Sequence, residues 1–430
     1  MPNFALAARA LRSRNYRLFF AGQGVSVIGT WMTRVATGWL VYRLTHSAAL
    51  LGVISFSGQI PAFFLAPIAG VWVDRWNRHH ALILTQVLSM VQSLALAALA
   101  LSGKITVWQI GLLALGQGLI NAFDMPIRQA FVVQMVDQRE DLGNAIALNS
   151  SMVNAARLIG PAIAGFVIAA VGEGYCFLGD GISYIAVIAS LLAMRVNAQP
   201  LRKKAESRVV DELVEGWRYV TGSAPIRSLL LMLGLVSLVA MPYGVLLPIF
   251  ASTILHGNAR TLGFLTTASG AGALCGAVAL ALRRSVLGLG KRIVIADVVF
   301  GVALIVFALS HQFWLSMLVL PFAGFGMMQQ MASTNTILQT IVEDEKRGRV
   351  MAYYSMAFQG MAPFGSLASG ALAARIGAPL TLALGGSVCL LGSFWFLRQL
   401  REIRTAIAPI YRRLGILPKI KSNVEQASVD

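Results

Sequence analysis

The chain has 430 residues, 57% hydrophobic and 12% charged, with a formal net charge of +17 and a mean hydropathy of +0.70. A water-soluble domain covers its surface with roughly a quarter charged residues, so an ordinary globular enzyme is excluded and the surplus apolar surface calls for lipid as a solvent. The positive charge is not the footprint of a nucleic-acid-binding face, because the basic residues punctuate apolar runs and do not gather in one domain.

A membrane-crossing helix needs about 20 mostly apolar residues. Four arginines, Arg9, Arg12, Arg14 and Arg17, precede the first apolar run, 18–42, which is too long for the apolar core of a cleaved leader and reads as a first span. Further spans are expected at 48–73, 81–101, 105–123, 145–171 and 177–194. A second series follows at 226–250, 262–282, 293–309, 313–330, 350–374 and 380–396. The runs are continuous and do not alternate, which argues against membrane strands. The expected organisation is a six-helix bundle over 1–194, a linker over 195–225, a second six-helix bundle over 226–397 and a basic tail over 398–430. Within the linker, Val209, Val210, Leu213, Trp217 and Val220 recur at helical spacing beside acids and arginine, the pattern of an amphipathic helix serving as a strut or lying on lipid.

Charge orients the chain. Of the 35 lysines and arginines, 29 fall on the side that holds both termini and 4 on the other: Arg43, Lys104, Arg260 and Arg375. Arg34 and Arg157 lie inside spans. The basic side is the cytoplasmic one, so both termini are expected there, with an even number of spans. A shift of 205 residues lays 134–172 over 339–377 without a gap, matching Gln134/Gln339, Gly143/Gly348, Ala147/Ala352, Ser150/Ser355, Gly160/Gly365, Gly165/Gly370, Ala169/Ala374 and Gly172/Gly377. Both stretches hold a charged loop and the fifth span of a half, as a parallel duplication requires.

Polar residues inside the first half keep helical periodicity. The first span has Gln23, Ser26, Thr30, Arg34 and Thr37; the fourth Gln117, Asn121, Asp124 and Arg128; the fifth Ser150, Asn154 and Arg157. Ionisable side chains in lipid persist where they face a cavity or a partner, so these stripes predict a shared polar interior. Asp180, early in the sixth span, is the candidate protonatable carboxylate, with a structural pairing to an arginine as the alternative. Asp297 lies close to the basic loop between spans eight and nine and is expected near that interface as a latch or cap. Tyr243, between Pro242 and Gly244, marks a kink in span seven.

Cys176, Cys275 and Cys389 sit in or beside apolar segments with no metal or disulfide spacing, and no phosphate-cradling loop or paired nucleophile and base is present. No metal, cofactor or enzymatic activity is expected.

The loop after span two reads Gly70-Val-Trp-Val-Asp74-Arg75-Trp-Asn77-Arg78-His79-His80. It resembles the signature of the major facilitator superfamily, with Asn77 where glycine is usual and histidines in place of further basic residues. Asn tolerates the left-handed turn that glycine would supply. The resemblance implies two six-helix bundles that open alternately. It makes Gly70, Asp74, Arg75, Arg78 and Asp124 a latch between the halves, with Asp74 at the start of span eleven and Arg78 on Asp124. Gly160, Pro161 and Gly165 resemble part of the fifth-helix motif of exporters, where small residues allow close packing and proline bends the helix. Trp31-Met-Thr-Arg34, Asp124-Met-Pro126-Ile-Arg128, the stretch 211–219 and Arg347-Gly348-Arg349 are similar to a bacterial subgroup holding macrolide-type drug exporters and the enterobactin exporter. The resemblance implies a monomeric multi-pass carrier of the bacterial inner membrane. It would exchange protons for small amphipathic solutes, with Gln23, Thr30, Arg34, Gln117, Asn121, Asn154 and Arg157 lining the path. A dedicated siderophore exporter is the alternative, and a nontransporting receptor or scaffold the remote one.

Overall fold

The computed structural model describes residues 8–73, 76–196, 209–283 and 285–418. No strand occurs among the described residues. In lipid the backbone must satisfy its own hydrogen bonds, and unbroken apolar runs do so as helices. The first half comprises α1 (Arg14–Thr45), α2 (Ala48–Val73), α3 (Arg78–Leu101), α4 (Val107–Met135), α5 (Leu142–Val171) and α6 (Glu173–Leu192). A linker helix α7 (Val209–Gly222) follows. The second half comprises α8 (Ala224–Val239), α9 (Tyr243–Ile249), α10 (Ala259–Ala281), α11 (Leu289–Leu309), α12 (Phe313–Ile341), α13 (Asp344–Ser355), α14 (Met361–Ile376) and α15 (Ala378–Arg413).

Ten helical stretches among the described residues are long and apolar enough to cross a membrane. The other two expected spans fall on α1 and on the run from Asp344 to Ile376. Polar and small residues, among them Gln23, Thr30 and Arg34 in one and Tyr353, Tyr354, Ser355 and Gln359 in the other, keep their mean hydropathy below that of the rest. Several helices outrun the spans drawn on hydropathy. α4 continues to Met135, α12 to Ile341 and α15 to Arg413, so the expected boundary at 397 falls inside a helix. The extension of α15 is held by Leu400, Ile403, Ile407 and Tyr411, all buried at helical spacing. Span seven is interrupted where expected: α8 stops at Val239, Met241 and Pro242 form a turn, and α9 begins at Tyr243. Proline has no N–H to continue the ladder. Five-residue π-turns follow α9 at Phe250–Ile254 and join α13 to α14 at Met356–Gly360.

α1 lies against α5 and α6, and α3 against α4 and α6; in the second half α12 lies against α10 and α11, and α15 against α8 and α11. The halves meet chiefly along α5–α10 and α2–α14. Both seams are made of glycine. A Cβ on Gly165 would stand 2.9 Å from the Ala259 carbonyl oxygen, and one on Gly370 2.7 Å from that of Ala48. The partners across the seams are Gly263 and Gly52. Gly165 and Gly370 are a matched pair of the 205-residue repeat, as are Gly172 and Gly377. The latter two turn the chain into α6 and α15 at φ of +97° and +85°, a region that favours glycine. The linker helix is braced on α13: Glu215 pairs with Arg349 at 2.6 Å, Trp217 meets the Tyr353 ring, and Lys346 lies over Tyr219.

Candidate functional site

The polar stripes of α1 and α5 meet at Trp31, while that of α4 is bonded to α3 and within itself, and not every member is equally open. Thr30, Arg34 and Asn121 are exposed, Gln117, Asn154 and Arg157 are half-buried, and Gln23 and Ser26 are packed away at 3% and 1% exposure. Gln117 donates to Ser89 Oγ at 3.2 Å and to Asn121 Oδ1 at 3.1 Å, and Asn154 donates to its own helix at the Ser150 carbonyl.

The centre of the site is Trp31. The Arg34 guanidinium lies 4.7 Å from its ring centroid and that of Arg157 5.2 Å, which gathers two cations on one indole. Gly160 makes this possible, because a Cβ there would stand 2.6 Å from Trp31 Cβ. Arg34 sits eleven residues before the end of α1, roughly 16 Å at 1.5 Å per residue. Among the described residues no carboxylate pairs with either guanidinium, and Arg157 Nε is buried without a hydrogen-bond partner. Trp31 was part of the subgroup resemblance, but its role needed the fold: three residues before Arg34 on α1, it also receives Arg157 from α5.

The end of the molecule with few basic residues is closed. Both glycine seams lie towards it, and the Tyr42 hydroxyl meets Thr253 Oγ1 at 2.7 Å, joining the end of α1 to the π-turn after α9. Outside this contact is a cleft of about 450 Å³ lined in part by Tyr42, His46, Thr253 and Ala374. Nearer the basic end, Phe56 and Phe63 of α2 meet Phe364 of α14 edge to face.

Asp180 is 2% exposed and lies between α1, α3 and α6. Its Oδ2 accepts from Thr33 Oγ1 at 3.0 Å and Ser93 Oγ at 2.6 Å, while Oδ1 has no partner. Two hydroxyls therefore take the place of the arginine considered as a structural partner. Gly29 leaves room for the carboxylate, since a Cβ there would come within 2.7 Å of Oδ1. Neither Thr33 nor Ser93 belongs to a stripe read from the sequence.

Asp74 and Arg75 lie outside the described residues, and Gly70 is in α2. Asp124 is given to other partners than Arg78. It accepts from Thr85 Oγ1 at 2.8 Å, from Gln86 Nε2 at 2.6 Å and from Arg128 one turn along its own helix. Arg128 is the nearer cation because i and i+4 share a helical face. Asn77 makes no left-handed turn: at φ −68° it caps α3, its side chain accepting from the His79 and His80 amides. Pro161 sits inside a continuous α5. α11 begins at Leu289, so Lys291 and Arg292 are already helical and Asp297 is two turns in, fully buried, with neither oxygen partnered. Tyr243, buried at the break in span seven, shares a hydrogen bond with Ser269.

Helical halves that meet along two seams, closed at one end over a polar interior, form a carrier's architecture. The profile of the family described as transmembrane secretion effector matches residues 5–418. The chain belongs to this family of major facilitator transporters. It is 23% identical over 391 residues to the staphyloferrin A transporter of Staphylococcus aureus, covering 90% of this chain and 97% of the relative. It is 27% identical over 394 residues to the multidrug efflux pump Tap of Mycolicibacterium fortuitum, covering 89% and 95%. With macrolide efflux protein A of Streptococcus pyogenes it shares 23% over 386 residues, covering 87% and 94%. Among solved structures, the nucleoside transporter NupG superposes with a TM-score of 0.66 at 16% identity, covering 91% of this chain and 99% of that one. A POT family transporter in complex with 5-aminolevulinic acid reaches 0.70 at 14%, covering 91% and 97%. The transporter is a multi-pass membrane protein of this superfamily and is not an enzyme.

Proposed function

We propose that the transporter is a monomeric proton-coupled exporter of amphipathic organic solutes. On this reading it spans the bacterial inner membrane twelve times, with both termini cytoplasmic, and carries solute outward by alternate opening of two six-helix halves. The observation that carries the reading is the pair Arg34 and Arg157 on Trp31, two cations on the polar stripes of α1 and α5 with no counter-ion among the described residues. Isolated charges at mid-depth are costly unless a wet passage or a ligand meets them. The opposite end is sealed by glycine seams and the Tyr42–Thr253 contact, which supports a form open towards the cytoplasm. Gly70, Asp74, Arg75, Arg78 and Asp124 would latch the halves in the opposite form, where Asp124 would exchange its helix partner Arg128 for the loop. Asp180 is the proposed proton carrier of the first half, because one of its oxygens is left free.

The efflux relatives motivate the test. Inside-out vesicles are loaded with the transporter, energised, and offered a radiolabelled macrolide and a fluorescent cationic dye. Accumulation is expected to stop when an ionophore collapses the pH gradient; continued uphill uptake after collapse would overturn proton coupling.

A dedicated siderophore exporter is the second reading, favoured by the two uncompensated guanidiniums, which suit a polycarboxylate. A deletion strain grown without iron should then lose siderophore from its culture supernatant and retain macrolide resistance. The reverse outcome favours general efflux.

A further inference from the structure

The second half holds a carboxylate that the translocation stripes do not use. Asp297 of α11 is 0% exposed and neither oxygen has a hydrogen-bond partner. Its neighbours follow from helix packing. On one face of α11, Val294 and Gly301 meet α15: Ser393 Oγ donates to the Val294 carbonyl at 3.0 Å, and a Cβ on Gly301 would stand 2.8 Å from the Gly386 carbonyl oxygen. Asp297 lies between Val294 and Gly301 on that face, and Cys389, fully buried, lies between Gly386 and Ser393 on the opposing one. The adjacent face of α11 meets α12, where a Cβ on Gly326 would stand 2.5 Å from the Ala296 carbonyl oxygen.

From Gly326 towards the basic end, α12 carries Gln330, Ser333 and Thr334. Each is at most 1% exposed, and Gln330 Nε2, Ser333 Oγ and Thr334 Oγ1 all lack partners. Buried polar groups are nearly always hydrogen-bonded, so these side chains of α12 and the Asp297 carboxylate, each without a partner in this form, are not explained by packing. The charge inventory around Asp297 is short. α12 contributes no ionisable residue, α15 contributes Cys389 with Arg398, Arg401, Glu402 and Arg404 farther along, and Tyr243 of α9 meets the Phe300 ring about one turn from Asp297. α11 itself contributes Lys291, which is exposed, and Arg292, whose Nη1 is buried and unpartnered. Among the described residues no donor reaches the Asp297 carboxylate, so its ionised form is costly in this interface, whereas the protonated acid is tolerated. A proton is also the one cation that needs no shell of oxygen ligands.

We propose that Asp297 is a proton-binding site of the second half, set on the face of α11 that meets α15, whose occupancy holds α11, α12 and α15 together. Loss of the proton creates a bare charge, so the ionised form demands a different packing of these helices. Protonation and conformation are thereby linked at a second place, remote from Asp180.

The test needs no substrate. The full-length protein in lipid nanodiscs is examined by infrared difference spectroscopy between acidic and alkaline buffers. Wild type should show, at neutral pH, the carbonyl band of a carboxylic acid in dry surroundings. D297N should lose that band, D180N should retain it, and Asp297→Glu should shift it, which keeps the test decisive if the asparagine variant does not fold. An Asp297→Glu or D297N spectrum identical to wild type overturns the proposal, as does replacement of the wild-type band on adding sodium chloride in place of choline chloride. Either failure leaves the export reading standing, because no flux is measured.

Discussion

A methyl group at Gly370 should force the closed end of the transporter open. In the present form a Cβ there would stand 2.7 Å from the Ala48 carbonyl oxygen, 2.8 Å from Gly52 Cα and 3.0 Å from Gly52 N. All three are backbone atoms, so no side chain can swing aside and α2 and α14 must part. Overpacking of this kind costs about 1–3 kcal/mol. If the seam closes only in the form seen here, that cost falls on one side of the conformational equilibrium, and the population should move towards the opposite form by roughly 5- to 150-fold. The assay is alkylation of Ser366→Cys by a membrane-impermeant maleimide in intact cells, because Ser366 is 3% exposed and lies in the seam beside Gly52. Labelling should accelerate in G370A and stay at the reference rate in Gly116→Ala, where a Cβ meets nothing within 4 Å. A G370A protein with unchanged labelling and unchanged thermal stability would refute the assignment of the seam as a state-specific closure.

Other expectations follow from the polar centre and the ion pairs. R34Q and R157Q each remove one of the two cations on Trp31; with a charge-assisted hydrogen bond worth about 1.5–3 kcal/mol, KM for a polycarboxylate should rise roughly 10- to 150-fold in vesicle flux, with a smaller change for an uncharged macrolide. Ser93→Ala strips one of the two donors from the buried Asp180 carboxylate, so the melting temperature of the purified protein should fall by an amount equivalent to about 1–3 kcal/mol, with Ser102→Ala on the exposed end of α3 as the control. Glu173 is buried and receives Arg43 through both Nε and Nη2, at 2.8 and 3.1 Å. Because Arg43 is half-exposed, Glu173→Gln should cost only about 1 kcal/mol, and raising the salt concentration should shrink the difference between the two melts.

Hydropathy made the membrane-crossing segments legible, because lipid selects on composition. It could not report where helices end, because a helix continues into water as readily as charged side chains allow; α4, α12 and α15 all do so. The break in span seven was legible from Pro242 and Tyr243, a local backbone effect. The 205-residue repeat was legible as eight scattered identities, and the structure gives two of them a physical role, in the seam glycines Gly165 and Gly370 and the turn glycines Gly172 and Gly377. Partners were harder. Periodicity located Arg34 and Arg157 on stripes but not their convergence on Trp31, which depends on the crossing of α1 and α5. Asp124 and Arg128 stand at i and i+4, yet the family pattern directed attention to Arg78. Spacing sets Asp297 close to Lys291 and Arg292 but does not show that it is fully buried and unpartnered, which depends on how α12 and α15 pack on α11.

The length of α15 has a practical consequence. Its 36 residues extend roughly 54 Å, while the hydrocarbon layer is about 30 Å thick, so the end with Arg401, Arg404, Arg412 and Arg413 reaches past the lipid while staying packed through Leu400, Ile403, Ile407 and Tyr411. Any tilt of the second half sweeps the tip of this helix through a wider arc than the bundle itself describes. A fluorophore fixed near Arg413 would therefore act as a pointer, turning small rotations of buried helices into displacements large enough to follow in single molecules.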